Sequence, residues 1–159
     1  MAERVVLKDI PLDEVIQLYY STFNEAQKDL SMEDAVFMAE TTKGYPFMVQ
    51  LVGYYIWRRT GTKVEKSDIL AGIEQAKERL SVLVFEASLS DISEKDIAFL
   101  RTMASFETPV ATADIQKKMG VSQGYIQQYR LRLLETELIY SPSYGKLDFS
   151  IPYLKEFLK

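Results

Sequence analysis

The segment at residues 40–57, ETTKGYPFMVQLVGYYIW, contains residue types that can build a rigid binding corner. A helical pattern runs up to Gly44, and a strongly apolar helical pattern starts at Pro46. Glycine adopts the left-handed conformation that ends a helix, and proline suits a first helical turn because its missing N–H has no partner there. We therefore predict a tight corner at Gly44, Tyr45 and Pro46. Taken alone, the pattern is also that of an ordinary turn between two helices.

A second group of candidate residues follows Ser122, along a predicted helix and the hairpin after it. Glutamine and arginine suit base edges in the DNA major groove, and a serine at a helix N-terminus suits a phosphate. The candidate DNA contacts are Ser122, Gln123, Tyr125, Gln127, Gln128, Arg130 and Arg132 on the helix, and Tyr144 and Lys146 on the hairpin. They equally suit the solvated surface of a protein-interaction module.

The residue types that the chain lacks exclude several kinds of active site. It has no cysteine and no histidine, which excludes disulfides, thiol nucleophiles, Cys/His zinc sites and Ser-His-Asp catalysis. Gly61-Thr62-Lys63 does not complete a phosphate-binding P-loop, because the lysine does not directly follow a glycine and residue 56 is not glycine. The carboxylates have no spacing that forces a pair together. We therefore predict no catalytic and no metal site in this chain.

Composition and charge indicate a folded protein of two modules. Of the 159 residues, 47% are hydrophobic and 12% aromatic, which is enough for real cores. The net charge is −5 over residues 1–92 and +1 over residues 93–159, and neither value is basic enough to indicate nucleic-acid binding. No apolar run reaches the length of a membrane span. We expect a cytoplasmic protein without a membrane partner.

The first half of the sequence predicts four helices with short connections. Pro11 opens the first helix and Ser31 caps the second. The third runs from Pro46 to about Arg59, and Ser67 caps a long fourth helix that continues to Val84. The predicted apolar positions include Leu18 on the first helix and Leu70 and Leu83 on the fourth. The aromatic residues Phe47, Tyr54, Tyr55 and Trp57 are expected in the core or on an intramolecular docking face, as are Tyr19, Tyr20 and Phe23.

The second half has a different pattern, and the polar segment at 88–92 is the predicted boundary. Ser93 caps a helix, residues 108–110 add a short strand, and Thr112 caps a brief helix. After the turn at 120–122 comes a longer helix, and Tyr144-Gly145 turns a hairpin. A short helix from Pro152 to Lys159 closes the chain. Three helices followed by a hairpin are typical of a winged helix-turn-helix domain.

Two segments, TTKGYPFMVQLVGY at 41–54 and SQGYIQQYRLRLLETELIY at 122–140, resemble the C-terminal region of bacterial and archaeal AAA+/STAND-type P-loop ATPases. In that family a P-loop core precedes a helical lid and a winged helix, and the passage from Leu7 to Leu12 looks like the link from core to lid. The resemblance implies a mainly α fold, with a four-helix lid-like bundle over 1–90 and a winged helix domain with a small β-hairpin over 91–159. It also implies that the chain is the C-terminal part of a longer protein.

Under this resemblance, Gly44, Tyr45 and Pro46 match the lid's Gly-x-Pro motif, whose proline packs beside the adenine of a bound nucleotide. ATP or ADP would then bind only in the full-length parent, where the missing N-terminal P-loop core supplies the rest of the site. The segment from Gly44 to Gln50 has no arginine, so it departs from lids that sense phosphate. The alternatives are a DNA-binding winged-helix regulator, with the first bundle as a sensor or dimerisation domain, and a protein-docking module.

Overall fold

The computed structural model describes residues 9–159, and Leu7 and Lys8 of the expected core-to-lid link lie outside them. The chain divides into two compact units, of which the first ends at Val82 and the second is Leu83–Lys159. The described residues are mainly helical and include a small antiparallel sheet, which confirms the predicted mainly α class. Among them, no helix has the length and apolarity needed to cross a membrane.

The described residues of the first unit form four helices. These are α1 (Leu12–Glu25), α2 (Met32–Thr42), α3 (Pro46–Arg59) and α4 (Lys66–Leu80). α1 packs chiefly on α2, and α3 packs chiefly on α4. The two loops that follow α1 and α3 are tied together, because the Asp29 N–H donates to the Thr62 carbonyl at 2.8 Å and the Val64 N–H to the Asp29 carbonyl at 3.0 Å. The bundle therefore holds α1 beside α3.

The chain passes between the units through a π-helical segment, Ser81–Glu86, and a short helix α5 (Ala87–Ser90). The apolar spacing predicts instead that the fourth helix continues to Val84, and the weak helical periodicity at 88–92 predicts the boundary there. A π-helix adds a residue to each turn and so rotates the apolar stripe. As a result Phe85 is buried, whereas the expected core residue Leu83 is 42% exposed.

The second unit combines helices with three short strands. They are α6 (Glu94–Ala104), β1 (Val110–Ala111), α7 (Thr112–Met119), α8 (Gln123–Glu135), β2 (Ile139–Tyr140), β3 (Lys146–Phe149) and α9 (Leu154–Leu158). The sheet has the order β1-β3-β2, with Val110 opposite Leu147 and Ile139 opposite Phe149. Apolar side chains from these helices and all three strands are buried in one core.

Three of the five predicted hydroxyl caps are correct. The Oγ atoms of Ser31, Ser93 and Ser122 each accept the backbone N–H three residues on, at 3.1, 3.2 and 3.3 Å. Ser67 and Thr112 were predicted wrongly, since each lies inside its helix. α4 begins earlier because its N-cap is Glu65, whose N–H donates to the Asp68 carboxylate at 3.3 Å.

Candidate functional site

The corner between α2 and α3 has the tight geometry that the sequence predicted. α2 ends at Thr42, and both Lys43 (φ 51°) and Gly44 (φ 76°) are left-handed. Tyr45 is then the N-cap of α3, and Pro46 is its first residue. The structure thus needs two left-handed residues where the sequence analysis assigned the helix end to Gly44 alone.

The segment just before α1 makes a backbone hydrogen bond to this corner. The Ile10 N–H donates to the Gly44 carbonyl at 2.7 Å. A Cβ atom at residue 44 would overlap the Ile10 carbonyl oxygen, so glycine is required for its left-handed φ and for this close approach. Inside the corner, the Thr42 hydroxyl accepts the Gly44 N–H at 3.1 Å. The backbone is therefore fixed from both sides.

The two rings at the corner, of Tyr45 and Pro46, are half-buried. Desolvation raises the pKa of the Tyr45 phenol, and the nearby Asp9 carboxylate raises it further. Tyr45 therefore stays a neutral hydroxyl at physiological pH. The two rings present a neutral aromatic and aliphatic surface, which suits contact with a flat apolar ring, and the exposed cation of the corner is Lys43.

The structure places most of the predicted DNA contacts on the exposed side of α8 or at its start. Ser122, which caps the helix, and Gln123, Tyr125, Gln127 and Gln128 are exposed, whereas Arg130 is half-buried. Leu131 is 57% exposed on the same helix. On the hairpin, Tyr144 and Lys146 are exposed, and Gly145 makes the turn with φ 76°. The outward side of α8 is thus mostly neutral.

Arg132 has a structural partner, Asp96, that no local sequence pattern predicts. Its Nη2 lies 2.9 Å from Asp96 Oδ1 and its Nε lies 3.2 Å from Asp96 Oδ2. Its guanidinium also lies 5.1 Å from the centre of the Tyr129 ring. The side-chain hydrogen bond with Asp96 raises the pKa of Arg132. This forked pair joins α8 to α6, and Asp96 is buried. The Arg132 guanidinium is therefore engaged in a structural contact.

A groove between α1 and α3 was not anticipated as a site. Its volume is about 370 Å³, and it is lined by Leu18, Tyr19, Thr22, Phe23, Val49, Gln50, Gly53, Tyr54 and Trp57. Leu18 was expected in the core but is 49% exposed, and Tyr54 is 54% exposed. The signal in the sequence was Gly53, a glycine within an otherwise bulky apolar helix.

Among the described residues, no group of acidic side chains is arranged to hold a metal ion. Residues 82–158 match a family described as "Domain of unknown function (DUF8462)", and this range nearly coincides with the second unit. A comparison with curated proteins gave no match. The family match delimits the second unit without assigning an activity to it.

Proposed function

We propose that the chain is the lid and winged-helix portion of an AAA+/STAND-type ATP-binding protein. In this proposal Tyr45 and Pro46 contact the adenine of ATP or ADP, which a P-loop core holds by its phosphates, and the buried Gly44 sets the backbone that presents them. The observation that carries the proposal is the corner's fixed backbone, which is bonded to Ile10 and closed by two left-handed residues. A preorganised surface loses little conformational entropy on binding.

The division of labour follows from the charges near the corner. The segment from Gly44 to Gln50 has no Lys or Arg, so it offers an apolar surface for a base and no side-chain cation for a phosphate. Phosphate binding and hydrolysis then belong to the P-loop core, with its glycine-rich loop, lysine and Mg²⁺. The chain alone completes a site and catalyses nothing.

The second unit supports the winged-helix part of the proposal. α7 and α8 are joined by a short turn at Gly120 (φ 67°), and the β2–β3 hairpin follows α8. β1, which precedes α7, pairs with β3 at the base of the hairpin. This is the element order of a winged helix-turn-helix. We assign to it the relay of the nucleotide state to a partner, which is a protein or DNA.

Calorimetry with ATP and ADP tests the division of labour on the chain itself. We expect no saturable heat at micromolar nucleotide, because the corner supplies only one side of the base and no glycine-rich loop for the phosphates. Micromolar affinity of this chain alone would refute the proposal. The upstream reading frame gives an independent test, since it should encode a Walker A sequence about 200 residues before Leu7, on the usual size of a domain.

A matched pair of proline variants in the full-length parent tests the corner itself. Pro46→Ser removes the apolar ring from the proposed adenine surface and should weaken ADP binding several-fold, whereas Pro11→Ser, also at a helix start, should leave it unchanged. Pro11 is the N-cap of α1, so both variants test a proline beside a helix start. Equal affinities for both variants would remove Pro46 from the site.

A further inference from the structure

The groove between α1 and α3 is an apolar surface, and the hydroxyl of Tyr19, which is buried beneath it, is already paired. The Tyr19 hydroxyl donates to the Val49 carbonyl at 2.5 Å, and burial raises the pKa of this phenol. A Cβ atom on Gly53 would lie 3.1 Å from the Tyr19 ring, so glycine leaves a notch in α3 at this point. What remains open to a ligand is almost entirely hydrocarbon and aromatic ring.

The length of the groove fits a helix. Tyr19 bonds to Val49. The Phe23 ring, four residues further along α1, packs edge-on against Trp57, eight residues further along α3, with ring centres 5.1 Å apart. α1 and α3 therefore run side by side in the same direction. The distance from Val49 to Trp57 along α3 is about 12 Å, at 1.5 Å per residue. Two helical turns of a partner, with anchors at i, i+4 and i+7, span that length.

The charges beside the groove specify the partner further. α1 has three acidic residues, Asp13, Glu14 and Glu25, and no Lys or Arg. Lys28, which follows the helix, donates from its ammonium to the Thr60 carbonyl at 2.8 Å. Glu14 and Glu25 are exposed and lie four residues before and seven residues after Leu18, on the same side of α1. The α1 lip of the groove is therefore anionic.

The α3 lip adds aromatic surface and one cation. Arg58 donates to the Tyr54 hydroxyl at 3.3 Å and lies 5.4 Å from the centre of that ring. The Trp57 ring also contacts a cation, since the Lys28 ammonium lies 5.0 Å from its centre. Both rings are therefore occupied by cations of this chain, and the preference for a basic ligand is set by the acidic residues of α1. An acidic ligand would instead be repelled along the whole α1 lip.

We propose that this groove binds a basic amphipathic helix of a partner. The apolar side chains of that helix enter the groove, and its Lys or Arg residues lie along α1 beside Glu14 and Glu25. The proposal is independent of the nucleotide site, since it rests on α1 and on α3 from Val49 onward, and on none of the corner residues.

Trp57 is the single tryptophan of the chain, so its fluorescence reports directly on the groove. The probe is a synthetic 16-residue helix of alanine, leucine and lysine, with leucines on one face and lysines along one edge. We expect a saturable shift of Trp57 emission, with affinity that falls as salt rises. A second peptide with glutamate in place of each lysine should bind at least about tenfold more weakly. Equal binding of the two peptides would overturn the proposal.

Matched variants locate the binding site. Leu18→Gln removes an apolar lip and should weaken the peptide about tenfold, whereas Leu70→Gln on α4, where the leucine is also 49% exposed, should change affinity less than about twofold. The pair Glu14→Gln with Glu25→Gln should remove most of the salt dependence, unlike Glu74→Gln with Glu78→Gln. Equal effects of Leu18→Gln and Leu70→Gln would show non-specific binding and refute the site.

A competitor distinguishes a helix from a small amphiphile. Decylammonium carries one apolar chain and one cation, and it reaches only part of the groove. We expect it to bind more weakly than the peptide. If it binds as tightly and displaces the peptide, the ligand is a small cationic amphiphile and the helix assignment is wrong.

Discussion

Gly44 shows how one residue can determine the geometry of the corner. Its backbone conformation is left-handed, and its missing side chain leaves room for the Ile10 carbonyl. A larger residue would be strained by the left-handed φ and would also overlap the Ile10 carbonyl oxygen. The proposed adenine contact therefore depends on the absence of a Cβ atom at residue 44. The effect of the left-handed φ and the effect of the close Ile10 carbonyl can be measured separately.

Gly44→Ala should destabilise the first unit by roughly 2–3 kcal/mol, from the strained φ together with the clash at Ile10. Gly145→Ala is the matched control, because Gly145 has the same φ of 76° but open space around it. It should cost only about 1 kcal/mol. Urea unfolding followed by circular dichroism measures both. Equal losses would mean that the contact with Ile10 contributes nothing.

Tyr19 predicts how stability changes at alkaline pH. Burial raises its folded-state pKa above the unfolded value of 10.0, so below that pH both states keep the proton and Tyr19 adds no pH dependence. Above it, the unfolded chain ionises first and stability falls by up to about 1.4 kcal/mol per pH unit. Tyr19→Phe should flatten this fall between about pH 10 and about pH 11 in urea titrations. Tyr144→Phe, on a fully exposed ring, should retain it.

At the scale of elements, the pair between Asp96 and Arg132 holds α6 against α8. Arg132→Lys keeps the charge but loses the forked geometry, and should destabilise the second unit by about 1 kcal/mol. Arg132→Ala leaves the buried Asp96 without its partner and should cost about 2–3 kcal/mol. Thermal unfolding measures both, and a double-mutant cycle with Asp96→Asn isolates the coupling. Arg130→Ala, as control, should cost less than about 0.5 kcal/mol.

The helices were predictable because their signals are local. Pro46 after Gly44, and the serines at 31, 93 and 122, act within one turn of the chain. The wrong predictions concern two helix starts and one core position, where neighbouring residues or tertiary packing outweighed the local pattern. Glu65 with Asp68 started α4 before Ser67, and Thr112 became the first residue of α7, with its buried hydroxyl unpaired among the described residues. Leu18 follows the apolar spacing but is 49% exposed among the described residues.

The candidate sites also differ in whether local sequence or tertiary packing determines them. The corner was predictable, since glycine and proline have backbone requirements that can be read from sequence. Arg132 was assigned to DNA because its spacing puts it on the outer side of α8. Its partner Asp96 is 36 residues away in the chain, and such a pair exists only once tertiary packing brings α6 and α8 together. The groove beside Gly53 likewise depends on where α1 lies.

For the molecule as a whole, charge bears on which of the two proposed partners, a protein or DNA, suits the second unit. Residues 83–159 have nine Lys and Arg against ten Asp and Glu, and the full chain has a net charge of −4. DNA binding gains affinity by neutralising phosphates, and each contact needs an available cation. Arg132 is bound to Asp96 and Arg130 is half-buried, so α8 offers few such cations. A protein partner suits its exposed tyrosine and leucine better.

This balance predicts that the chain alone does not bind duplex DNA tightly. In gel shifts at about 100 mM salt we expect no complex at micromolar protein, because few counterions are released and the net charge is repulsive. At low salt, Lys146→Ala should weaken any residual binding more than Lys66→Ala, a change in the first unit. Nanomolar binding with a steep salt dependence, lost in Arg130→Ala, would contradict the prediction. It would also indicate that the second unit is a DNA-binding domain, since a steep fall of the binding constant with salt requires several phosphate contacts.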